Sequence, residues 1–301
     1  MPELPDVEIY RERLEARLVG HAFAAVRLGS PFVVRTYDPK LSEIVGPKIR
    51  EVRRVGKRLV FGFDGELFLV LHLMIAGRLR WRKAGAKHRG RDVLAVFDPE
   101  PPVAGCLVFT EASKKKRASL HVVQGKEALA DFDRGGVEVA SGGLEAFAQR
   151  LRAERHTLKR TLTDPRLFSG IGNAYSDEIL FEAGMSPLRN STALKDDEVQ
   201  RLFDATVAVL DRFTARVRDE VGDGFPDKVT AFRKDFSVHG RYKEPCRVCE
   251  APVQRIVRGD HETNYCANCQ TDGRLLADRA LSRLLKADWP RTLEELEERT
   301  S

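Results

Sequence analysis

Four cysteines carry the plainest chemistry in this sequence. Cys246-x2-Cys249 is followed, after sixteen residues, by Cys266-x2-Cys269. Two such knuckles let four thiolates converge on one tetrahedral ion while the residues between them form a hairpin, the spacing of a structural zinc ribbon. All four positions are filled by protein, so the single zinc ion expected here stabilises a small module and does not catalyse. A redox role is disfavoured, because both pairs lie in polar hairpin sequence outside any βαβ context. A second group is Gly170-Ile171-Gly172-Asn173, where glycines precede a helix start and present backbone N–H groups to an anion. A third is Pro2. With Met1 removed its nitrogen becomes a secondary amine, able to act as a covalent nucleophile. PELP equally reads as an ordinary helix-entry turn, with Pro5 in the first turn.

These groups need elements to hold them. The chain has 301 residues, 42% hydrophobic and 32% charged, which fits a globular protein of two domains with a small extra module and excludes a disordered one. Lys+Arg exceed Asp+Glu by 51 to 45, a mild bias toward polyanionic partners. No stretch approaches the roughly 18 apolar residues of a membrane span, and MPELPDVE has no apolar signal region. Val7, Tyr10, Leu14 and Leu18 recur at helical spacing until Gly20. Residues 22–125 are strand-like: RLVFGFD and ELFLVLHL flank Asp64-Gly65, a hairpin signal, and DVLAVFD and CLVFTEA follow. Cys106, within that last run, is expected to be a buried small hydrophobe. Residues 143–222 carry helical periodicity, and 238–272 are short, turn-rich and cysteine-bearing. In the tail, GRLLADRALSRLL is amphipathic, Trp289-Pro290 interrupts it, and TLEELEERTS is acidic and helical in pattern. The expected fold is α+β multidomain. Residues 1–125 form an N-terminal β-sandwich with an opening helix and 140–235 a helical domain; 236–272 form the zinc ribbon and 273–301 a helical tail.

Three separated segments, MPELPDVE, GIGNAYSDEILFEAGMSP and HGRYKEPCRVCEAPVQRIV…YCANCQ, resemble the formamidopyrimidine-DNA glycosylase/endonuclease VIII family, in the family's order and over nearly the whole chain to residue 272. The resemblance implies a bifunctional DNA glycosylase/AP lyase of base-excision repair, acting on damaged double-stranded DNA held in a cleft between sandwich and helical domain. It implies that Pro2 attacks C1′ of a flipped nucleotide and that Glu3 exchanges protons with the departing base or opened sugar. The resulting iminium is an electron sink for β,δ-elimination. The positive end of the following helix helps keep the amine neutral. Lys57, in RRVGKRLVF, matches a hairpin-tip lysine that contacts a phosphate near the lesion. Asn173 matches the phosphate-binding Asn of a helix-two-turn-helix element, and Lys159 matches a lysine near the pocket. A bacterial, cytoplasmic, nucleoid-associated monomer is the expected setting.

The chain also departs from that family. Asp6 stands where Glu is usual, and Ile75 takes the place of a Met that fills the void left by the flipped base; apolar wedges of several kinds do this. Where an Arg and a Phe usually complete that filling, the chain has Lys114-Lys115-Lys116-Arg117, suited to sequence-independent phosphate contact. His261 aligns with a lesion-proximal Arg of the zinc hairpin, and Arg258, three residues earlier, is a candidate to compensate. GDGFPDKVTAFRKDF leaves little room for a long lesion-covering loop, which favours oxidised pyrimidines, formamidopyrimidines or abasic sites over 8-oxoguanine. These departures motivate a second reading, a non-catalytic damaged-DNA-binding member of the same fold; Pro2, Glu3, Lys57 and Asn173 favour the enzyme. A zinc-ribbon protein serving RNA or transcription machinery leaves the N-terminal motif unexplained.

Overall fold

The computed structural model describes residues 1–87, 89–227, 229, 233–259, 261–277, 284, 286 and 289–300. The chain divides into two compact units, residues 1–134 with 212–231, and residues 135–211 with 232–301.

The first unit opens with α1 (Leu4–Leu18), whose Val7, Tyr10, Leu14 and Leu18 are all fully buried, as their spacing requires of one helix face. Gly20, at φ +89°, lets the chain turn out of it. Eight strands follow: β1 (Phe23–Leu28), β2 (Ile49–Val55), β3 (Arg58–Phe63), β4 (Leu67–His72), β5 (Gly77–Arg82), β6 (Val93–Pro99), β7 (Cys106–Glu111) and β8 (Ser119–Gln124). They make two four-stranded antiparallel sheets, ordered β1-β6-β7-β5 and β2-β3-β4-β8. The expected hairpin joins β3 to β4 through Asp64-Gly65-Glu66, with Gly65 at φ +77°. Leu59, Phe61, Leu69, Leu71, Leu120 and Val122 of one sheet share a core with Leu79, Ala95, Phe97, Leu107 and Phe109 of the other. That is the sandwich arrangement, with inward residues at every second position. β3 and β4 are apolar on both faces because their outward residues Val60, Phe68 and Val70 pack with Val123 and with Leu129 of α2 (Lys126–Ala130). Cys106 is fully buried, and its thiol donates to the Lys83 carbonyl at 3.3 Å. Residues 212–231 are stitched into this unit. Phe225 lies 5.7 Å from the Tyr10 ring and 5.9 Å from Trp81, Arg82 pairs with Asp227 at 2.6 Å, and Arg218 pairs with Glu12 at 2.7 Å.

The second unit contains α3 (Val139–Arg152), α4 (Leu158–Thr163), α5 (Asn173–Glu182) and the part of α6 (Asp196–Val221) before residue 212. Phe147 centres its core, 4.8 Å from Phe168 and 5.5 Å from Phe203. The hairpin β9 (Gln254–Arg258) and β10 (His261–Tyr265) and the short α7 (Ala267–Thr271) form the cysteine-bearing module, with Val238, Val253, Cys246 and Cys266 as a small core. A C-terminal helix, Leu293–Thr300, follows. Its Leu293 packs with Tyr265 and Ala267, and the Tyr265 hydroxyl accepts from the Leu276 N–H at 2.8 Å, so the tail is seated on the hairpin module. The amphipathic stretch expected at 273–285 lies largely outside the described residues, as do parts of the segment 222–236. Among the described residues no helix is long and apolar enough to cross a membrane.

Candidate active site and metal centre

In the first unit the α1 N-terminus gathers the expected catalytic groups. Glu3 is the helix N-cap, and its N–H donates to Asp6 Oδ2 at 3.1 Å. Asp6 thus closes the first turn with the short carboxylate that reaches back from the third helical position. Pro2, Glu3 and Asp6 are all buried, the two acids at 2% and 3% exposure. Burial pulls the Met1 amine that precedes Pro2 below its usual value of 8.0; Glu3 and Asp6 oppose this while Arg78 and Lys57 add to it. Lys57, at the β2–β3 turn, is held low mainly by burial, with Glu3 pulling it up and Arg58 pushing it down. Glu3, Asp6, Lys57 and Arg78 therefore all act on the chain terminus, and Glu3 acts on Lys57 as well.

The loop between β4 and β5 projects Ile75, 58% exposed, and Arg78 braces it from below. Arg78 Nε donates to the Val229 carbonyl at 2.6 Å, and Nη1 donates to the carbonyls of Ile75 and Gly77. A Cβ at Gly77 would lie 2.1 Å from the Leu73 carbonyl oxygen, so this turn closes only on glycine. The basic run after β7 is built on Glu111. This 1%-exposed carboxylate accepts from the N–H groups of Arg117 and Ala118 at 2.9–3.1 Å, and Lys116 donates to the Glu111 carbonyl. Lys114, Lys115 and Arg117 are thereby left exposed. His72, at the end of β4, is pulled to about 3 by burial and by the neighbouring Arg58 and Lys57, so it is a neutral imidazole at ordinary pH. Sequence reasoning missed Arg78, Glu111 and His72. Glu111 and His72 sit where period-two alternation changes from core to rim, which was the available signal.

In the second unit Gly170, at φ +77°, turns the chain so that Gly172 caps α5 and Asn173 starts it. Asn173 Nδ2 donates to the Glu262 carbonyl of β10 at 2.8 Å. Lys159, expected to meet DNA near the pocket, is buried at 9% exposure. Its Nζ donates at 2.6 Å to both Asp177 Oδ1 and the Asn173 carbonyl. Its charge is thus spent holding the start of α5. Asp177, with no exposed side-chain surface, also meets His239 Nδ1 at 2.7 Å and the Asn264 N–H at 3.1 Å. The next residue, Glu178, accepts backbone N–H groups from Ser237, Val238 and His239 at 2.7–2.9 Å; burial pushes its carboxyl up while these donors oppose the rise. Two adjacent acids of α5 thereby lock the helix to the chain entering the cysteine module. They escaped sequence reading because DE in a helix ordinarily marks a solvated face.

The four cysteine sulfurs lie within 4.8 Å of one another, with Cys249–Cys266 at 3.4 Å and Cys246–Cys269 at 3.9 Å. A tetrahedron with metal–sulfur bonds of about 2.3 Å has edges of roughly 3.8 Å. The donor set therefore fits one tetrahedral ion, and the Val248 N–H points at Cys246 Sγ from 3.5 Å as a supporting donor. At the hairpin tip Arg258 lies directly opposite His261, and both are exposed. The two side chains share a face, so the shorter His261 has a cation beside it.

Residues 1–135 match the formamidopyrimidine-DNA glycosylase N-terminal domain, residues 139–220 its H2TH domain, and residues 243–271 the zinc finger found in FPG and IleRS. The formamidopyrimidine-DNA glycosylase of Herpetosiphon aurantiacus is 35% identical over 279 residues, covering 90% of this chain and 100% of that one. The same architecture occurs in Lactococcus lactis Fpg (MutM) complexed with DNA containing an oxidized pyrimidine, at 26% identity and a TM-score of 0.77, covering 90% of this chain and 100% of that one. It recurs in the same protein bound non-covalently to DNA containing an AP site, at 25% identity and a TM-score of 0.77, over 89% and 99% of the two chains. The fold and the four-thiolate centre are thus those of a DNA-repair glycosylase. The chain belongs to the formamidopyrimidine-DNA glycosylase family.

Proposed function

We propose that this protein is a bifunctional DNA glycosylase and AP lyase that removes oxidised bases and cuts the strand by β,δ-elimination through Pro2. The observation that carries the reading is the burial of Pro2, Glu3 and Asp6 together at the start of α1, where Arg78 and Lys57 act on the chain terminus. With Met1 removed, the Pro2 nitrogen attacks C1′, the C1′–base bond breaks, and the amine proton passes by way of Glu3 to the departing base. The nitrogen lone pair then opens the sugar, C1′–O4′ breaking as O4′ takes a proton, which leaves an iminium at C1′. Loss of a C2′ proton turns that iminium into an enamine, whose electrons return to form C2′=C3′ and regenerate the iminium as the C3′–O bond breaks and the 3′ phosphate leaves; loss of the C4′ proton then expels the 5′ phosphate in the same way.

Lys57, Asn173, Arg258 and His261 are proposed as phosphate contacts and Ile75 as the wedge that replaces the flipped base. Lys159 serves DNA binding through Asn173. The cysteine set holds one zinc ion, which supplies folding energy and no chemistry of its own. The segment 222–229 packs through Phe225, Asp227 and Val229, which supports a short lesion-covering loop and hence oxidised pyrimidines, formamidopyrimidines and abasic sites as substrates. The protein is expected to act as a monomer on damaged duplex DNA in a bacterial cytoplasm. The test is incubation of Met1-processed protein with abasic-site DNA and borohydride. A covalent adduct that is lost in Pro2→Gly supports the enzyme. DNA binding with no adduct refutes it and leaves a damage-binding protein.

A further inference from the structure

The outer face of the β2-β3-β4-β8 sheet changes character along its length. Near α2 it is apolar, and toward the Lys57 turn it becomes cationic. Arg58 lies opposite His72 and His72 opposite Ser119, while His121 follows two residues on from Ser119. Strand alternation puts all four on this one face. Phe132, just past α2, organises them. Its ring meets His121 edge-on at 5.0 Å and lies 6.0 Å from the Arg58 guanidinium, and its carbonyl accepts from Arg58 Nη1 at 3.3 Å. Ser119 Oγ stands 3.3 Å from His121 Nε2. Two exposed arginines border the group: Arg134 acts electrostatically on Arg58, and Arg35 on His121. Among the described residues, no carboxylate forms an ion pair with Arg35, Arg58 or Arg134.

The half-buried Arg58 and the exposed Arg134 repel, and an anion between them relieves the repulsion. The planar guanidinium held at a fixed angle suits a phosphate, whose oxygens accept two parallel N–H groups. The hydroxyl and imidazole beside it add further hydrogen-bonding groups. We propose that Arg58, Arg134 and His121, arranged around Phe132, form a subsite for a second backbone phosphate of the DNA strand, distinct from the one assigned to Lys57. This rests on the reading of the chain as a DNA-binding repair enzyme. None of these side chains belongs to the chemistry at Pro2.

The test is the salt dependence of binding to a duplex carrying a tetrahydrofuran abasic analogue, read by fluorescence anisotropy between about 50 and 200 mM salt. Removing one phosphate contact makes the slope of log K against log salt shallower by about 0.9. The Arg58→Gln/Arg134→Gln protein is expected to show that change and the Arg58→Lys/Arg134→Lys protein to keep most of the wild-type slope. Arg50→Gln/Lys126→Gln, which removes the same charge elsewhere on the unit, is expected to leave the slope alone. A wild-type slope in the first variant, or an equal drop in the Arg50/Lys126 control, overturns the subsite. Arg134→Gln alone changes an exposed side chain and keeps the measurement available if the double variant is unstable. Borohydride trapping at saturating DNA separates the two ideas: trapping with unchanged slopes sinks only the subsite, whereas wild-type protein that never traps sinks the enzymatic reading.

Discussion

Replacing Asp177 by Asn removes one negative charge and almost no volume from the centre of the second unit. The carboxylate has no exposed surface and holds Lys159 at 2.6 Å, His239 at 2.7 Å and the Asn264 N–H at 3.1 Å. Asn retains an acceptor but leaves the Lys159 ammonium in a dry site facing the Asn173 carbonyl without a carboxylate charge at position 177 to balance it. Breaking a buried pair from one side costs about 3–5 kcal/mol, because the surviving charge is uncompensated. A unit of this size shifts by about 2–4 °C per kcal/mol, so its melting transition is expected to fall by roughly 6–20 °C. Lys159→Met in the same chain removes the stranded charge, and the double variant is expected to recover a substantial part of the loss. The assay is calorimetry of the three variants, with hydrogen exchange assigning the transition to residues 135–211. The reasoning fails if Asp177→Asn melts within about 2 °C of wild type, or if adding Lys159→Met only deepens the loss.

Removing the metal with a chelator, or Cys266→Ala, is expected to abolish hydrogen-exchange protection of β9 and β10 while leaving the sandwich protected. Equal protection in both regions with the ion removed contradicts a structural centre. Adduct formation with abasic DNA should rise with pH, because only the neutral Pro2 amine of the Met1-processed protein attacks. Arg78→Gln, which removes a positive charge that acts on the chain terminus, should move this limb to higher pH, and an unmoved limb counts against that coupling. His72 binds its proton more readily unfolded, at 6.5, than folded, at about 3. Its contribution therefore removes stability progressively as pH falls from 6.5 toward 3. Denaturant melts of His72→Gln should be less pH-sensitive than wild type across that window, and parallel curves would discount the effect.

What the sequence made legible was local. The paired CxxC spacing, the Asp64-Gly65 turn and the spacing of Val7, Tyr10, Leu14 and Leu18 each specify geometry over a few residues, and each appears as expected. The sandwich was legible as strands but not as an order, because β1 pairs with β6 across seventy residues of chain and no local pattern carries that partner. Lys159 shows the same limit in the site. A lysine in HTLKR looks like a phosphate ligand, and its burial depends on Asp177 and on the entering turn of α5. Likewise GDGFPDKVTAFRKDF read as too short for a long covering loop, but nothing local announced that Phe225 packs against Tyr10 and Trp81 or that Asp227 pairs with Arg82. Residue type announced which groups carry charge, but the partner of each charge was set by contacts tens of residues away.

The seat of the C-terminal tail bears on protein engineering. The matched zinc-finger segment ends at Thr271, yet Tyr265 and Ala267 inside it lean on Leu293 beyond it. A graft that exchanged only the matched segment with a relative would separate a cradle from its occupant and expose an apolar seam beside the thiolates. A chimera of this protein therefore needs its crossover placed before His239 or after the last helix, with finger and tail travelling as one cassette.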